Sequence, residues 1–346
     1  MTLKETITQI IADGGPIPFD EFMRLALYHP DGGFFATGQL RSEKGGDFLT
    51  SPEVSPVFGE TLATFVDRER DRIGDPFELV EVGAGSGSLL RSLLAVTDVP
   101  ASAVEASPAA RRSLSDVLPT DRVGSTLPVG FRGVVIANEL IDNLPMALAQ
   151  RVGGSWRERW VGADEEGLQF VDAPPRQEVV DWLEWYAGEV ADQGWVEVQL
   201  EAQVWLDTVL TRLRAGSVLL FDYGETTENL LPRRRDGTLR TYRAHHLGPH
   251  PLDEPGQTDI TADVNFTALV DTASRAGAAV ELHRQDDFLT ELGLRELLTS
   301  LRQAELDAAR GGDDMHRLAL RTTRTEVETL LHPRGLGDFR VLVARK

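Results

Sequence analysis

Apolar positions recur at helical spacing through the first part of the chain and then give way to short β-branched runs. Ile7, Ile10 and Ile11 share one face of a helix expected over 2–11, which stops at Asp13-Gly14-Gly15-Pro16. Phe22, Met23, Leu25 and Ala26 supply the apolar side of a second helix over 19–27. A glycine-rich segment spans 30–56, and Phe58, Leu62, Phe65 and Val66 then mark a third helix ending before Gly74-Asp75-Pro76. From Phe77 the runs 78–82, 103–105, 133–137 and 217–222 alternate with helical stretches, and 279–283 and 339–344 are later strand candidates. That alternation is the pattern of βαβ units on a parallel sheet. The chain therefore divides into a helical extension, 1–74, and a Rossmann-like α/β domain, 75–346. Within the latter, 149–152 and 156–161, separated by Gly153-Gly154-Ser155, read as a hairpin within a cap inserted over about 148–195. The stretches 195–213 and 291–306 read as long amphipathic helices.

Composition narrows the class of function. With 41% hydrophobic and 26% charged residues in 346 positions, the chain buries a globular core and is neither disordered nor fibrous. The absence of cysteine removes disulfides, thiolate metal sites and cysteine nucleophiles. Thirty-five basic against 55 acidic residues give a net charge of −20, which repels nucleic acid and suits a basic partner segment. No apolar run reaches the roughly 18 residues of a membrane span, and the start resembles neither a signal nor a transit peptide. The expected address is cytoplasmic, with no membrane insertion. Oligomeric state is not legible.

The chemistry concentrates behind the expected strand ends. Glu81-Val-Gly83-Ala84-Gly85-Ser-Gly87 follows a buried run and opens a helix. Alternate glycines let the chain turn sharply and let a nucleotide-like ligand touch backbone at a helix N-terminus. A dinucleotide fingerprint needs a sixth-place glycine, and Ser88 or Leu90 stands there in either register. Glu81, two positions before the first glycine, would crowd a pyrophosphate and suits the ammonium of a methionyl group. S-adenosyl-L-methionine is thus favoured over NAD. Glu105, 20 positions after Gly85, is placed to accept ribose hydroxyls, or alternatively to cap the next helix. Asn138-Glu139-Leu-Ile-Asp142 follows the third run, where polar groups line the crevice of an open sheet. Glu139 and Asp142, three apart and so expected on one side of a helical turn, can hold a cationic acceptor such as guanidinium, or serve only as a capping acid and a solvated one. Asn138 offers a bond to the acceptor nitrogen. Tyr223 closes the pocket or merely packs. His245, His246 and His250 lack carboxylate companions at ligand spacing, so no metal site is expected, and Ser51 has no histidine near it for a nucleophilic triad. Arg233 to Arg235 read as a solvated charge run.

Six ordered blocks carry a family resemblance: 46–53, 79–87, 137–145, 219–224, 237–243 and 259–266. They resemble the signature blocks of the MidA-type S-adenosylmethionine-dependent methyltransferases, and 337–342 is similar to that family's closing strand. The resemblance implies an α/β fold with the seven-stranded class I methyltransferase sheet, an N-terminal helical extension and an inserted cap. It implies cofactor contacts at Gly83, Gly85 and Gly87, and a segment bearing Asp47, Thr50, Ser51 and Glu53 that folds over the active site. Thr50 and Ser51 are then expected at the cofactor, Asp47 and Glu53 at the substrate, with a substrate-loop region over about 225–262. The mitochondrial members act on an arginine of a respiratory complex I subunit, which implies a protein substrate with a target arginine. The loop Gly-Ala-Gly-Ser-Gly departs from the family's common Gly-Pro-Gly-Arg-Gly and lacks its basic side chain; 311–331 matches poorly. The expected function is methyl transfer to arginine, with Glu139 and Asp142 as catalytic carboxylates and Tyr223 or Tyr242 walling the acceptor. A non-catalytic cofactor-binding assembly factor and an NAD-dependent oxidoreductase are the alternatives.

Overall fold

The computed structural model describes residues 1–36, 50–243 and 246–346. Its frame is a seven-stranded sheet of β1 (Glu78–Val82), β2 (Ala101–Val104), β3 (Val123–Gly124), β4 (Phe131–Asn138), β5 (Leu213–Asp222), β6 (Ala279–Arg284) and β7 (Arg340–Arg345). The spatial order is β6-β7-β5-β4-β1-β2-β3. Strands β1 to β5 pair in parallel, while β7 runs antiparallel between β5 and β6. The chain steps outward from β1 through β2 to β3, then returns to β4 on the other side of β1. That reversal opens a crevice at the carboxyl ends of β1 and β4.

The strands bury both faces. Leu79, Val134, Ile136, Leu219, Phe221 and Val343 point into one helical layer, while Val80, Val135, Ala137, Val218, Leu220 and Leu342 point into the other. The period of two thus sorts a continuous apolar run onto two cores. Each of these side chains larger than alanine contributes about 1.5–3 kcal/mol of burial. The first layer contains α4 (Pro56–Ile73), α5 (Ser88–Leu94), α7 (Leu294–Gly311) and α8 (Asp314–Leu330); the second contains α6 (Leu200–Arg212) and the helix Phe266–Arg275. Helix α4 starts where Ser55 Oγ accepts from Val57 N–H and stops at Gly74, whose φ is 69°.

The N-terminal helices α1 (Leu3–Gly14) and α2 (Phe19–Tyr28) share a third core with the cap. Ile17–Pro18 pairs with the cap strand Ser155–Asp164, so the extension is stitched to the insertion. The cap is larger than the expected hairpin. Ala147–Val152, Ser155–Asp164 and Gly167–Ala173 form a meander, and Trp195–Val198 adds a strand beside Ala147–Val152.

Three expectations are corrected here. Trp195–Val198 is a strand, and α6 begins at Leu200; the β-branched pair Val196 and Val198 takes the open edge of the cap sheet, and Glu197 is held by Arg234 and by Thr238 N–H. The helix expected from 291 breaks at Gly293, with φ 100°, and restarts as α7. Arg233 to Arg235 are not a uniformly solvated run. Arg234 is buried against Glu197, and Arg233 pairs with buried Asp263, which Arg240 also reaches. The stretch 311–331, which the sequence left open, contains α8, packed on α7 as a helical hairpin.

Candidate active site

The first half of the site hangs from β1 and β2. Glu81 is 5% exposed, and its Oε2 has no hydrogen-bond partner. Burial, reinforced by the nearby Glu105 charge, pushes its carboxyl up to about 8. Gly83 turns the chain at φ 72°, and a Cβ there would stand 3.0 Å from Leu140 Cδ1. The turn lets Gly85 N–H donate to Glu105 Oε2 at 3.0 Å, while Ser107 N–H donates to Glu105 Oε1 at 2.7 Å. Capping of the helix Pro108–Ser113 falls to Ser107, whose Oγ accepts from Ala110 N–H. Glu105 instead ties the glycine loop to the end of β2, each oxygen retaining acceptor capacity. Ser86 Oγ donates to Glu53 Oε1 at 3.2 Å, linking the loop to α3 (Ser51–Val54).

The second half hangs from β4 and β5. Glu139 takes φ 51°, a left-handed conformation uncommon for a side-chain-bearing residue, and its N–H donates to Phe221 O at 2.8 Å. Its Oε1 accepts from Asn138 Nδ2 at 3.1 Å and from Ser51 N–H at 3.4 Å. Burial, then the Asp142 charge, pushes Glu139 up to about 8 against those two bonds. The next turn is held from behind: Asp222 Oδ2 accepts from Ile141 N–H at 2.9 Å and from Asp142 N–H at 3.2 Å. Asp142 Oδ2 accepts from Thr261 Oγ1 at 2.7 Å, and Thr261 in turn contacts the Tyr223 hydroxyl. Burial raises both Asp142 and Asp222, and the Asp142 charge raises Asp222 further.

Between the two halves lies a cavity of about 390 Å³. Of the residues singled out from sequence, Glu81, Gly83, Ala84, Gly85, Glu105, Asn138, Glu139, Thr50 and Glu53 line it. Gly87, Ser51, Asp142, Tyr223 and Tyr242 do not. Gly87 caps α5 at φ 77°, where a Cβ would meet Leu114 Cδ2 at 2.8 Å. Ser51 is fully buried and reaches the site only through its N–H. Asp142, 4% exposed, sits behind Glu139 rather than beside it, because the left-handed turn at Glu139 breaks the helical phase assumed for the pair. Tyr223 packs on Phe339 and Arg240, and Tyr242 lies in the small strand Arg240–Arg243. Asp47 and His245 fall outside the described residues.

Several lining residues had no signal in motif spacing. The extension sends in Arg24 and Tyr28, four apart on α2, together with Phe35; α6 sends in Glu201 and Trp205. Tyr28 hydroxyl donates to Asn143 O at 3.1 Å, and its ring lies 5.6 Å from that of Phe35. Burial pushes the Tyr28 hydroxyl well up, so it stays protonated. Arg24 forks onto Glu201, Nη1 to Oε1 at 2.9 Å and Nη2 to Oε2 at 2.7 Å. The polar side of the α2 pattern, opposite Phe22 and Met23, was the available clue.

The residues present fit S-adenosylmethionine. A buried carboxylate oxygen without a partner is what a methionyl ammonium needs, Glu105 can take ribose hydroxyls, and the volume is that of a small-molecule site. Sheet order, switch-point crevice and glycine loop together define a class I S-adenosylmethionine-dependent methyltransferase. A family model described as S-adenosyl-L-methionine-dependent methyltransferase matches residues 58–283, and the chain belongs to that family. It is 30% identical over 318 residues to the mitochondrial protein arginine methyltransferase NDUFAF7 homolog of Drosophila melanogaster, covering 80% of this chain and 71% of that one. With human mitochondrial protein arginine methyltransferase NDUFAF7 it shares 29% over 332 residues, covering 82% and 71%. A crystal structure of a Burkholderia thailandensis protein bound to S-adenosyl-homocysteine superposes with a TM-score of 0.87 at 30% identity, covering 99% of this chain and 92% of that one.

Among the described residues no helix is long and apolar enough to cross a membrane, and no group of three His, Asp or Glu is arranged to hold a metal ion. The relatives' names place them in mitochondria, which lends no support to the cytoplasmic address expected from the sequence.

Proposed function

We propose that the enzyme methylates an arginine side chain of a protein. The observation that carries this reading is Glu139: a carboxyl in the cavity wall, fixed by Asn138 and Ser51 N–H in a left-handed turn. The names of the relatives support the same acceptor. A respiratory complex I subunit as the target, and a cytoplasmic setting for the reaction, belong to this proposal and rest on the resemblance and the sequence alone.

S-adenosylmethionine supplies a methyl group already activated on a sulfonium. The chain's part is therefore to bind, orient and exclude water. Glu81 holds the ammonium of the cofactor, Glu105 its ribose, and the loop 83–85 gives the backbone close approach. A guanidinium is a weak nucleophile while charged, its pKa lying above about 12. Glu139, ionised once a cation stands beside it, orients the guanidinium and accepts the proton released when nitrogen gains carbon. Asn138 Oδ1, which has no partner, can accept a further N–H. Asp142 and Asp222 position this turn from behind; Tyr28 and Phe35 wall the acceptor in place of Tyr223 and Tyr242.

The test is incubation of the enzyme and of Glu139→Gln with labelled S-adenosylmethionine and arginine-bearing protein, followed by hydrolysis and amino-acid analysis. Methylarginine from the wild type alone supports the reading. Label on another residue, or none while S-adenosylhomocysteine binds normally, overturns it; the second outcome leaves a cofactor-binding assembly factor.

A further inference from the structure

The cavity is lined by five glutamates, Glu53, Glu81, Glu105, Glu139 and Glu201, against a single cation among its described residues, Arg24. Glu53 accepts from Ser86 Oγ of the glycine loop, and Glu81, Glu105 and Glu139 have work in the reading above. Glu201 has none, and its ion-pair partner comes from outside the sheet domain: Arg24 on α2, in two-point contact through both oxygens. That planar fork is the strongest mode in which a carboxylate recognises a guanidinium. It is also replaceable. The side chains of Arg24 and Glu201 are 54% and 32% exposed, and ion pairs that open to solvent are weak. Trp205 stands four residues after Glu201, on the same face of α6, and lines the same cavity. A carboxylate with an indole one helical turn away suits a cationic side chain, which gains from both charge and ring face.

We propose that Glu201 and Trp205 form a second cation subsite, which a basic side chain of the acceptor segment takes over from Arg24. The inference rests on the arginine-protein reading of the same cavity and adds to it. Substrates carry a second basic residue near the methylated one, and Arg24 is an internal occupant that the substrate displaces. A chain with net charge −20 draws such a doubly basic segment from solution.

The test is calorimetric binding to the intact enzyme loaded with S-adenosylhomocysteine. The probes are blocked serine peptides carrying either one arginine or two arginines separated by none, one, two or three serines. For at least one spacing, the two-arginine peptide is expected to bind about tenfold tighter than the single-arginine peptide. Arg24→Ala should raise that advantage several-fold, and Glu201→Gln should erase it. The double exchange Arg24→Glu with Glu201→Arg keeps an ion pair between α2 and α6 but puts a cation in the subsite, so it should also erase the advantage. A purely structural tether predicts the opposite: weakened folding in the single variants and full restoration by the exchange. Equal affinity of the two peptides at every spacing, or a silent Arg24→Ala, overturns the subsite and leaves the arginine reading standing. If neither peptide binds while S-adenosylhomocysteine does, the arginine reading falls, and the subsite with it.

Discussion

The two ends of the cavity are built differently. In the reading proposed above the cofactor end is local: Glu81, Gly83 and Gly85 belong to one strand-loop-helix turn, and Glu105 follows the neighbouring strand. The acceptor end is collected from afar: Arg24, Tyr28 and Phe35 come from the extension, Glu53 from α3, Glu139 from the turn after β4 and Glu201 from α6. Both ends hold a carboxyl pushed up to about 8, yet the neighbours differ. Glu81 keeps an oxygen without a partner, whereas Glu139 is already bonded by Asn138 and Ser51 N–H. In that reading one end waits for a ligand that every enzyme of this class shares, and the other is pre-set by elements drawn from outside the βαβ unit. Substitutions should therefore split by end, cofactor affinity failing in one set and turnover in the other.

The largest loss of cofactor affinity is expected at the shared end. Gly83→Val places a branched side chain at φ 72°, against Leu140. Strain of about 1–3 kcal/mol plus the blocked approach should cost S-adenosylhomocysteine affinity roughly 100-fold, read by calorimetry. Next comes the acceptor end. Glu139→Gln should lower turnover by about 10²–10⁴, the range of a lost general base, with cofactor affinity within a few-fold of wild type. If Glu139→Gln instead lost cofactor affinity and kept turnover at saturation, the division of labour would be reversed.

Glu81 gives a sharper test because its charge state must change. At pH 7 a carboxyl with a pKa of about 8 is mostly protonated. An ammonium beside it favours the ionised form, so binding S-adenosylmethionine should release close to one proton. Calorimetry in buffers of different ionisation enthalpy counts it. Glu81→Gln should abolish the release and weaken binding about 10- to 100-fold, the scale of a lost charge-assisted bond. The same shifts set the stability of the ligand-free enzyme. Glu81 and Glu139 have folded values near 8 against an ordinary 4.5, so the folded state holds protons that the unfolded state has lost. Their contribution is full below about 4.5 and disappears as pH climbs through about 8. Thermal melts should fall across that window and flatten in Glu81→Gln, and added S-adenosylhomocysteine should restore the alkaline side.

This contrast also explains what could be read from sequence. The meeting of Glu81, Gly83, Gly85 and Glu105 in one cavity was legible because the physics that places them is contained in one βαβ unit. Glu139 was legible by its position after β4, but the side-by-side pairing with Asp142 was not, since φ 51° at Glu139 cannot be foreseen from spacing that looks helical. Arg24, Tyr28 and Glu201 escaped because no motif spacing marks them, the polar side of α2 being the one local hint: they meet only once the extension has paired Ile17–Pro18 with the cap. The strand at Trp195–Val198 was missed for a similar reason, its partner Ala147–Val152 being distant in sequence.

The smallest predicted effect tests how far the acceptor end reaches behind its own wall. Tyr223 does not line the cavity, but its hydroxyl meets Thr261, and Thr261 Oγ1 donates to Asp142 Oδ2 at 2.7 Å. Asp142 N–H in turn donates to Asp222, which also accepts from Ile141 N–H and so fixes the turn that presents Glu139. Tyr223→Phe removes one neutral hydroxyl that meets both Thr261 and Asp142, a loss of about 1 kcal/mol spread over groups that do not touch a ligand. Turnover should fall by only a few-fold, with cofactor affinity and acceptor KM unchanged. Thr261→Val takes the 2.7 Å donor from Asp142 and breaks the contact with Tyr223 as well, so turnover should fall further, toward the effect of Glu139→Gln. Should the two variants instead be equal, and both weaken cofactor binding, Asp142 and its partners would belong to the shared end of the cavity, and the boundary drawn between the two ends would move behind β4.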